Sequence, residues 1–484
     1  MQIVFAASEA SPFAKTGGLA DVVGALPREV AKLGHEVSIF LPLYASVRPH
    51  LEKELKYAVR SITIPFSHGN RFAGIVDGGL RDSVQYYFVD CPEFFDRQGL
   101  YGNNGDSYSD NAERFALYCR AVLEAAKTLG VPDVFHVHDW QAALLPVLLR
   151  TVYSADPLLK DAASVLTIHN AGYQGWFPPS TTDLLLLPWD LYTYDKLEHY
   201  GTFNFLKGGV VYSDLITTVS PKYAEEFQTP EFGNGLDGAL RQRSADLRGI
   251  LNGVDYTEWD PATDGNLAGH FSPLDLSGKR DCRKDLLHAF GLEVPDQTPL
   301  IGICSRFASQ KGFDLLEQIA GRLAERDLAV VALGTGEPYY EKFFRDFAFA
   351  NAARFSVQIR YDDAMAHKIE AGADIFVMPS RFEPCGLNQI YSLKYGTIPV
   401  VRATGGLDDT VQEWDPEKKT GTGFKFEAYE AQALLDAIDR ALAAFYDKTQ
   451  WRTLMENGMA QNFSWEKPAR EYVAAYEDAA RKRA

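Results

Sequence analysis

"IVFAASEASPFAKTGGLADVVGALP", Ile3 to Pro27, sets an apolar run, a glycine turn and an amphipathic stretch end to end. That order reads as a β-strand handing over to a helix across a loop that carries Lys15, Thr16, Gly17 and Gly18. Glycines there let the backbone approach a ligand closely. A helix opening at Gly17 or Gly18 would also aim unpaired N–H groups outward, with the Lys15 charge beside them. The loop is not of the G-x-x-x-x-G-K-[ST] type, whose glycines precede the lysine. On local spacing alone, a plain turn is an equal reading.

The same hand-over recurs along the chain. "EVSIFLP", "DVFHVHD" before "QAALLPVLLR", "SVLTIHN", and "DLITTVS" before "PKYAEEF" form a first series. "PLIGICSR", "LAVVALG", "RFSVQIR", "ADIFVMPS" and "IPVVRAT", interleaved with helical patterns, form a second from about residue 299. Short apolar strands alternating with helices predict parallel sheets covered on both faces. A glycine-rich stretch from Gln228 to Ser277 reads as the inter-domain connection plus loops. The expected architecture is α/β, two facing Rossmann-like, doubly wound domains with a cleft between them, over residues 1–245 and 246–460. A terminal helix comes after them, over 461–484. In such sheets ligands bind beyond the carboxyl ends of the strands.

At 484 residues, two domains are the natural division. A net charge of −17 argues against nucleic-acid or anionic-membrane binding, so an anionic ligand would need a few placed cations. Five cysteines without a C-x-x-C pair argue against a disulfide framework or zinc ribbon, and no leader or membrane span is apparent. A cytoplasmic protein is expected.

Several strand ends carry chemistry. In "SRFASQKG", Arg306 and Lys311 could clamp a diphosphate, Arg through its planar fork and Lys as a movable charge. In "MPSRFEPCGLNQIYSLKYG", Glu383 could accept from sugar hydroxyls, while Pro384, Cys385 and Gly386 lead into a helix near Leu387. Cys385 has no base beside it and reads as small filler. "FHVHDW" places His136 and His138 on one strand face, as metal ligands are, but the two-series layout does not suit such a site. Asp139 ends that strand, and His169 ends "LTIHN". "RATGGLDDTV", Arg402 to Val411, echoes the opening loop without its lysine. It reads as a second, independent use of a strand–glycine–helix junction.

Together these motifs resemble one family, the glycogen and starch synthases of bacteria and plants, over essentially the whole chain. "KTGGLADVVGALP", "HDW", "HNAGYQG", "TVSPKYAEE", "LNGVDYTEWDPATD" and "SRFEPCGLNQIYSLKYGTIPVVRATGGLDDTV" stand in order. The resemblance implies a retaining glycosyltransferase of the two-Rossmann GT-B fold. Its reaction would move glucose from ADP-glucose to the non-reducing end of an α-1,4-glucan and release ADP, with no cofactor and no metal. It implies donor-loop roles for Lys15, Gly17 and Gly18, and a leaving-group pair in Arg306 and Lys311. Glu383 would meet the glucose hydroxyls, with Cys385, Gly386 and Leu387 giving backbone donors. His169, Asp139 and Asn252 would lie near the sugar, and Tyr361 would stack on adenine. The terminal helix would return to the first domain. Two departures stand out: Gln141 comes after "HDW" where many relatives have His, and Tyr391 takes the place of a second carboxylate eight residues beyond Glu383. A sugar-nucleotide epimerase or hydrolase on the same scaffold is the alternative.

Overall fold

The computed structural model describes residues 1–51, 54–103 and 105–483. The chain divides into two compact units, Met1–Gly253 with Trp465–Ala484, and Val254–Ser464. The first division falls eight residues after the expected 245/246 boundary. The reason is a last short strand, Leu247–Gly249, which pairs in parallel with Leu215–Thr218 and so belongs to the first sheet. The stretch from Gln228 to Ser277 is thus less a linker than two unit edges meeting at Gly253.

The main sheet of unit 1 is built from β1 (Gln2–Ala6), β2 (Glu36–Pro42), β3 (Tyr57–Phe66), β4 (Gly69–Arg81), β5 (Val84–Asp90), β6 (Val134–His138), β7 (Ala163–Ile168), β8 (Leu215–Thr218) and β9 (Leu247–Gly249). Their order in the sheet is β9-β8-β7-β6-β1-β2-β5-β4-β3. All neighbours run parallel except β5/β4 and β4/β3. The chain passes from β1 to β2, crosses to the edge strand β3, comes back through β4 to β5 beside β2, and then returns to β6 on the other side of β1 and winds the other way. The switch point therefore lies between β1 and β6, which pair from Ile3↔Val134 to Ala6↔Val137. The helix Glu466–Arg481 packs on this sheet, its Ala469, Tyr472, Ala475, Tyr476 and Ala479 buried at helical spacing.

Unit 2 repeats the logic with β10 (Leu300–Cys304), β11 (Ala329–Gly334), β12 (Phe355–Ile359), β13 (Ile375–Met378), β14 (Ile398–Arg402) and β15 (Phe424–Phe426). The sheet order is β12-β11-β10-β13-β14-β15, all parallel. Its strands are apolar on both faces, as burial on both sides requires. Ile301, Ile303, Val330, Ala332, Ile375 and Val377 enter one core cluster, and their neighbours Leu300, Ala329, Val331, Leu333 and Phe376 another. Here the switch point lies between β10 and β13. Among the described residues no helix is long and apolar enough to cross a membrane, and no disulfide joins any of the five cysteines.

Candidate active site

In unit 2 the carboxyl ends of β10 and β13 release the two loops that hold the predicted residues. Lys311 Nζ donates to Glu383 Oε2 at 2.7 Å, and the Ser380 hydroxyl donates to the same oxygen at 3.0 Å. Glu383 is buried. The loops are also stitched through the backbone, Arg381 N–H to Gln310 C=O at 2.8 Å and Gln310 Nε2 to Phe382 C=O at 3.2 Å. Gly312 makes this approach possible: at φ +74°, a Cβ there would lie 1.9 Å from the Pro379 carbonyl oxygen. Arg306 stands exposed past the end of β10, with no ion-pair partner among the described residues. Cys385 is buried, Gly386 takes φ +70°, and the helix Asn388–Lys394 starts after Leu387. Tyr361, after β12, is exposed.

The echo "TGGL" is part of this construction. The Gly406 N–H donates to the Glu383 carbonyl at 3.1 Å. A Cβ on Gly405 would lie 2.0 Å from that oxygen, and one on Gly406 would lie 2.2 Å from the Cys385 carbonyl oxygen. These glycines let one backbone lie against another. The Gly406 N–H is spent on the Glu383 loop rather than held out for a ligand.

In unit 1 the carboxyl ends of β1 and β6 flank the switch point. The loop after β1 is organised by Glu9, a residue sequence reasoning passed over. Its buried carboxylate accepts from Thr16 N–H at 2.5 Å, Thr16 Oγ1 at 2.6 Å, Gly17 N–H at 3.3 Å and the Tyr101 hydroxyl at 2.5 Å. Lys15 pairs with Asp21 at 2.7 Å, in the first turn of the helix Gly18–Lys32. Nothing lies within 4 Å of a Cβ built on Gly17 or Gly18, so packing does not demand glycine at either position.

Past β6, Asp139 takes φ +53°, uncommon for a residue other than glycine. Its Oδ1 accepts the His169 backbone N–H at 2.7 Å. Burial raises its carboxyl to about 7, the His169 and Asn170 N–H groups opposing. Burial also pushes the His169 imidazole down to about 3, so the ring is neutral at ordinary pH. Asn252 is buried, its Oδ1 without a partner among the described residues.

Both departures sit in packed surroundings. Gln141 is buried in unit 1. Tyr391 stacks on Trp259 at 3.8 Å, and Trp259 stacks on His367 at 3.6 Å. Beside that stack, Glu258, Asp363 and His367 bring possible metal-ligand atoms within 4.8 Å of one another. Bonds of about 2.0–2.2 Å to a shared ion would draw them closer than that.

The model of the starch synthase catalytic domain matches residues 2–242, and that of group 1 glycosyl transferases matches residues 287–451. A glycogen synthase of Koribacter versatilis is 57% identical over all of this chain and 99% of its own length. The chain belongs to the glycogen and starch synthase family. A glycogen synthase of Thermotoga maritima is 46% identical over 99% of both chains. The catalytic domain of starch synthase IV from Arabidopsis thaliana, solved bound to ADP and acarbose, superposes with a TM-score of 0.89 at 33% identity over 99% of both chains. The sucrose-phosphate synthase of Thermosynechococcus elongatus shares the fold, with a TM-score of 0.61 at 18% identity. As a family member the protein is a hexosyltransferase of the GT-B fold, and the two doubly wound sheets are its two Rossmann-like halves.

Proposed function

We propose that the protein transfers the glucosyl group of ADP-glucose to the non-reducing end of an α-1,4-glucan, with retention of configuration and release of ADP. The observation that carries this is the Lys311–Glu383 pair at the switch point of unit 2, with the exposed Arg306 beside the same strand end. Ligands of doubly wound sheets bind at that place.

The physical demand is on the leaving group. As the bond from C1 to the diphosphate oxygen breaks, negative charge grows on ADP, and fixed cations there stabilise the transition state more than the ground state. Arg306 and Lys311 fill this role. Glu383, held by Lys311 and Ser380, accepts from the glucose hydroxyls, and backbone N–H groups of Cys385, Gly386 and Leu387 meet the donor. Tyr361 supplies an exposed ring for adenine. Lys15, Gly17 and Gly18 belong to the donor loop, and Asp139, His169 and Asn252 to the sugar's surroundings. The acceptor 4-hydroxyl bonds to C1 on the face the leaving group vacates, and its proton passes to the departing phosphate oxygen. Five cysteines with no disulfide among them support a reducing cytoplasm as the compartment.

The decisive experiment is donor competition on one glycogen primer, comparing ADP-glucose with UDP-glucose and tracing radiolabel into glucan. Transfer to glycogen that prefers ADP-glucose is expected. Turnover of ADP-glucose that is indifferent to glycogen would replace this reading with an epimerase or hydrolase.

A further inference from the structure

Three histidines meet inside unit 1, and two of them have no role in the proposed reaction. His136 is satisfied on both nitrogens, Nε2 with Thr167 Oγ1 at 2.6 Å and Nδ1 with the Tyr476 hydroxyl at 2.8 Å. His138 is not. Its Nδ1 lies 2.9 Å from His169 Nε2, while its own Nε2 is buried without a partner among the described residues. Phe5 stacks on the His138 ring at 5.7 Å and His136 lies 4.1 Å away.

One proton sits between His138 and His169, and the orphaned nitrogen decides which ring supplies it. Burial lowers both imidazoles, so each ring is neutral and carries a single N–H. Were His169 the donor through Nε2, His138 would have to keep its own proton on Nε2, an N–H buried with no acceptor. Were His138 the donor through Nδ1, its Nε2 would hold only a lone pair. A buried N–H without an acceptor is the rarer and costlier arrangement. His138 therefore donates, and His169 must carry its proton on Nδ1. That nitrogen has no partner among the described residues and belongs to a half-buried side chain. The Asp139 carboxylate fixes the same residue through its backbone N–H.

We propose that His138 is a positioning residue that locks His169 in the Nδ1–H tautomer, so that His169 offers the sugar a hydrogen-bond donor and not a base. The sugar contact rests on the proposed function, in which His169 meets the substrate; the tautomer does not. It fits a mechanism in which the departing phosphate takes the acceptor's proton.

The test pairs isosteres. His138→Asn can present a carboxamide N–H where Nδ1 stood; His138→Leu has the same branching and no donor. In the full-length enzyme His138→Asn should keep kcat near wild type. His138→Leu should lose roughly tenfold in kcat with little change in donor KM, the size of one hydrogen bond. Nitrogen-15 spectra of the histidine-labelled wild type should show His169 protonated on Nδ1 and bare on Nε2. A wild-type His169 protonated on Nε2 would overturn the proposal even if the Leu variant failed to fold. Equal losses in the Asn and Leu variants would overturn the positioning role. If His169→Ala kept wild-type kinetics, the sugar contact would fail while the spectra still judged the tautomer.

Discussion

The two "TGGL" stretches read alike, yet their glycines answer different needs. Gly17 has open space around it and no left-handed φ, whereas Gly405 and Gly406 lie against the Glu383–Cys385 backbone. Gly17→Ala should change stability by about 1 kcal/mol or less while raising donor KM. Gly406→Ala should cost about 1–3 kcal/mol or more through overpacking, and thermal melts beside donor kinetics separate the two cases. Lys311→Ala should cut turnover ~10²–10³-fold. It also deprives the buried Glu383 carboxylate of its cation and leaves it the Ser380 hydroxyl, so stability falls too. Adding Glu383→Gln should restore the melting temperature but not the turnover; recovery of both would show that the pair is structural. Asp139 carries a pH signature. Its folded pKa of about 7 lies above its ordinary 3.8, so the native state binds the extra proton between those values and loses stability as pH rises through them. Asp139→Asn should therefore gain in melting temperature over wild type from about pH 4 to 7, with the gain levelling above. Lys311 and Glu383 were legible because apolar strands point to their loops. Glu9 was not, since "SEAS" looks the same whether its carboxylate is solvated or holds a loop.

At the scale of elements, legibility tracked hydrophobic patterning. The β10 to β14 strands announce themselves as apolar runs because both faces are buried, and the helices between them by their spacing. The antiparallel extension β3–β4–β5 gave no such signal. Its β3 burial alternates unevenly, and its pairing shifts register between Tyr57 and Ile62. The turn joining β4 to β5 is also disguised. Arg81 pairs with Val84, so Asp82 and Ser83 form a two-residue loop, with φ of +48° and +65°. That is the backbone of a type I′ hairpin, whose usual sequence signal is Asn-Gly or Asp-Gly. Replacing Ser83 with glycine relieves a left-handed serine and should stabilise unit 1 by about 1 kcal/mol. Leaving Asp82 in place keeps its 3.5 Å contact with Arg28. Chemical denaturation of Ser83→Gly checks this; an unchanged or lower midpoint would mean the turn is not strained.

For the whole molecule the consequential feature is that unit 1 is discontinuous in sequence. Residues 254–464 intervene before Trp465 and the last helix complete it. The terminal helix expected from residue 461 begins at Glu466, and unit 1 resumes at Trp465, because Val254 pairs with Ser464 and holds the chain in unit 2 to that point. The segment beyond Ser464 is core, not appendage. Trp465, Ala469, Tyr472, Tyr476 and Ala479 belong to the same apolar cluster as β1 and β6, and the Tyr476 hydroxyl meets His136 inside it. The end of the chain is also tied by charge: Arg483 donates to Asp214 at 2.5 Å, Lys482 to the Asp214 carbonyl at 2.9 Å, and Asp478 pairs with Arg248. Such a segment stabilises one unit and not the other. A chain ended at Ser464 should therefore show two calorimetric transitions, the earlier from unit 1. ADP, which stabilises what it binds, should raise the later one, because the proposed leaving-group pair, Arg306 and Lys311, lies in unit 2. A single transition lowered as a whole would mean that the units unfold together, and a rise confined to the earlier transition would move the nucleotide to unit 1.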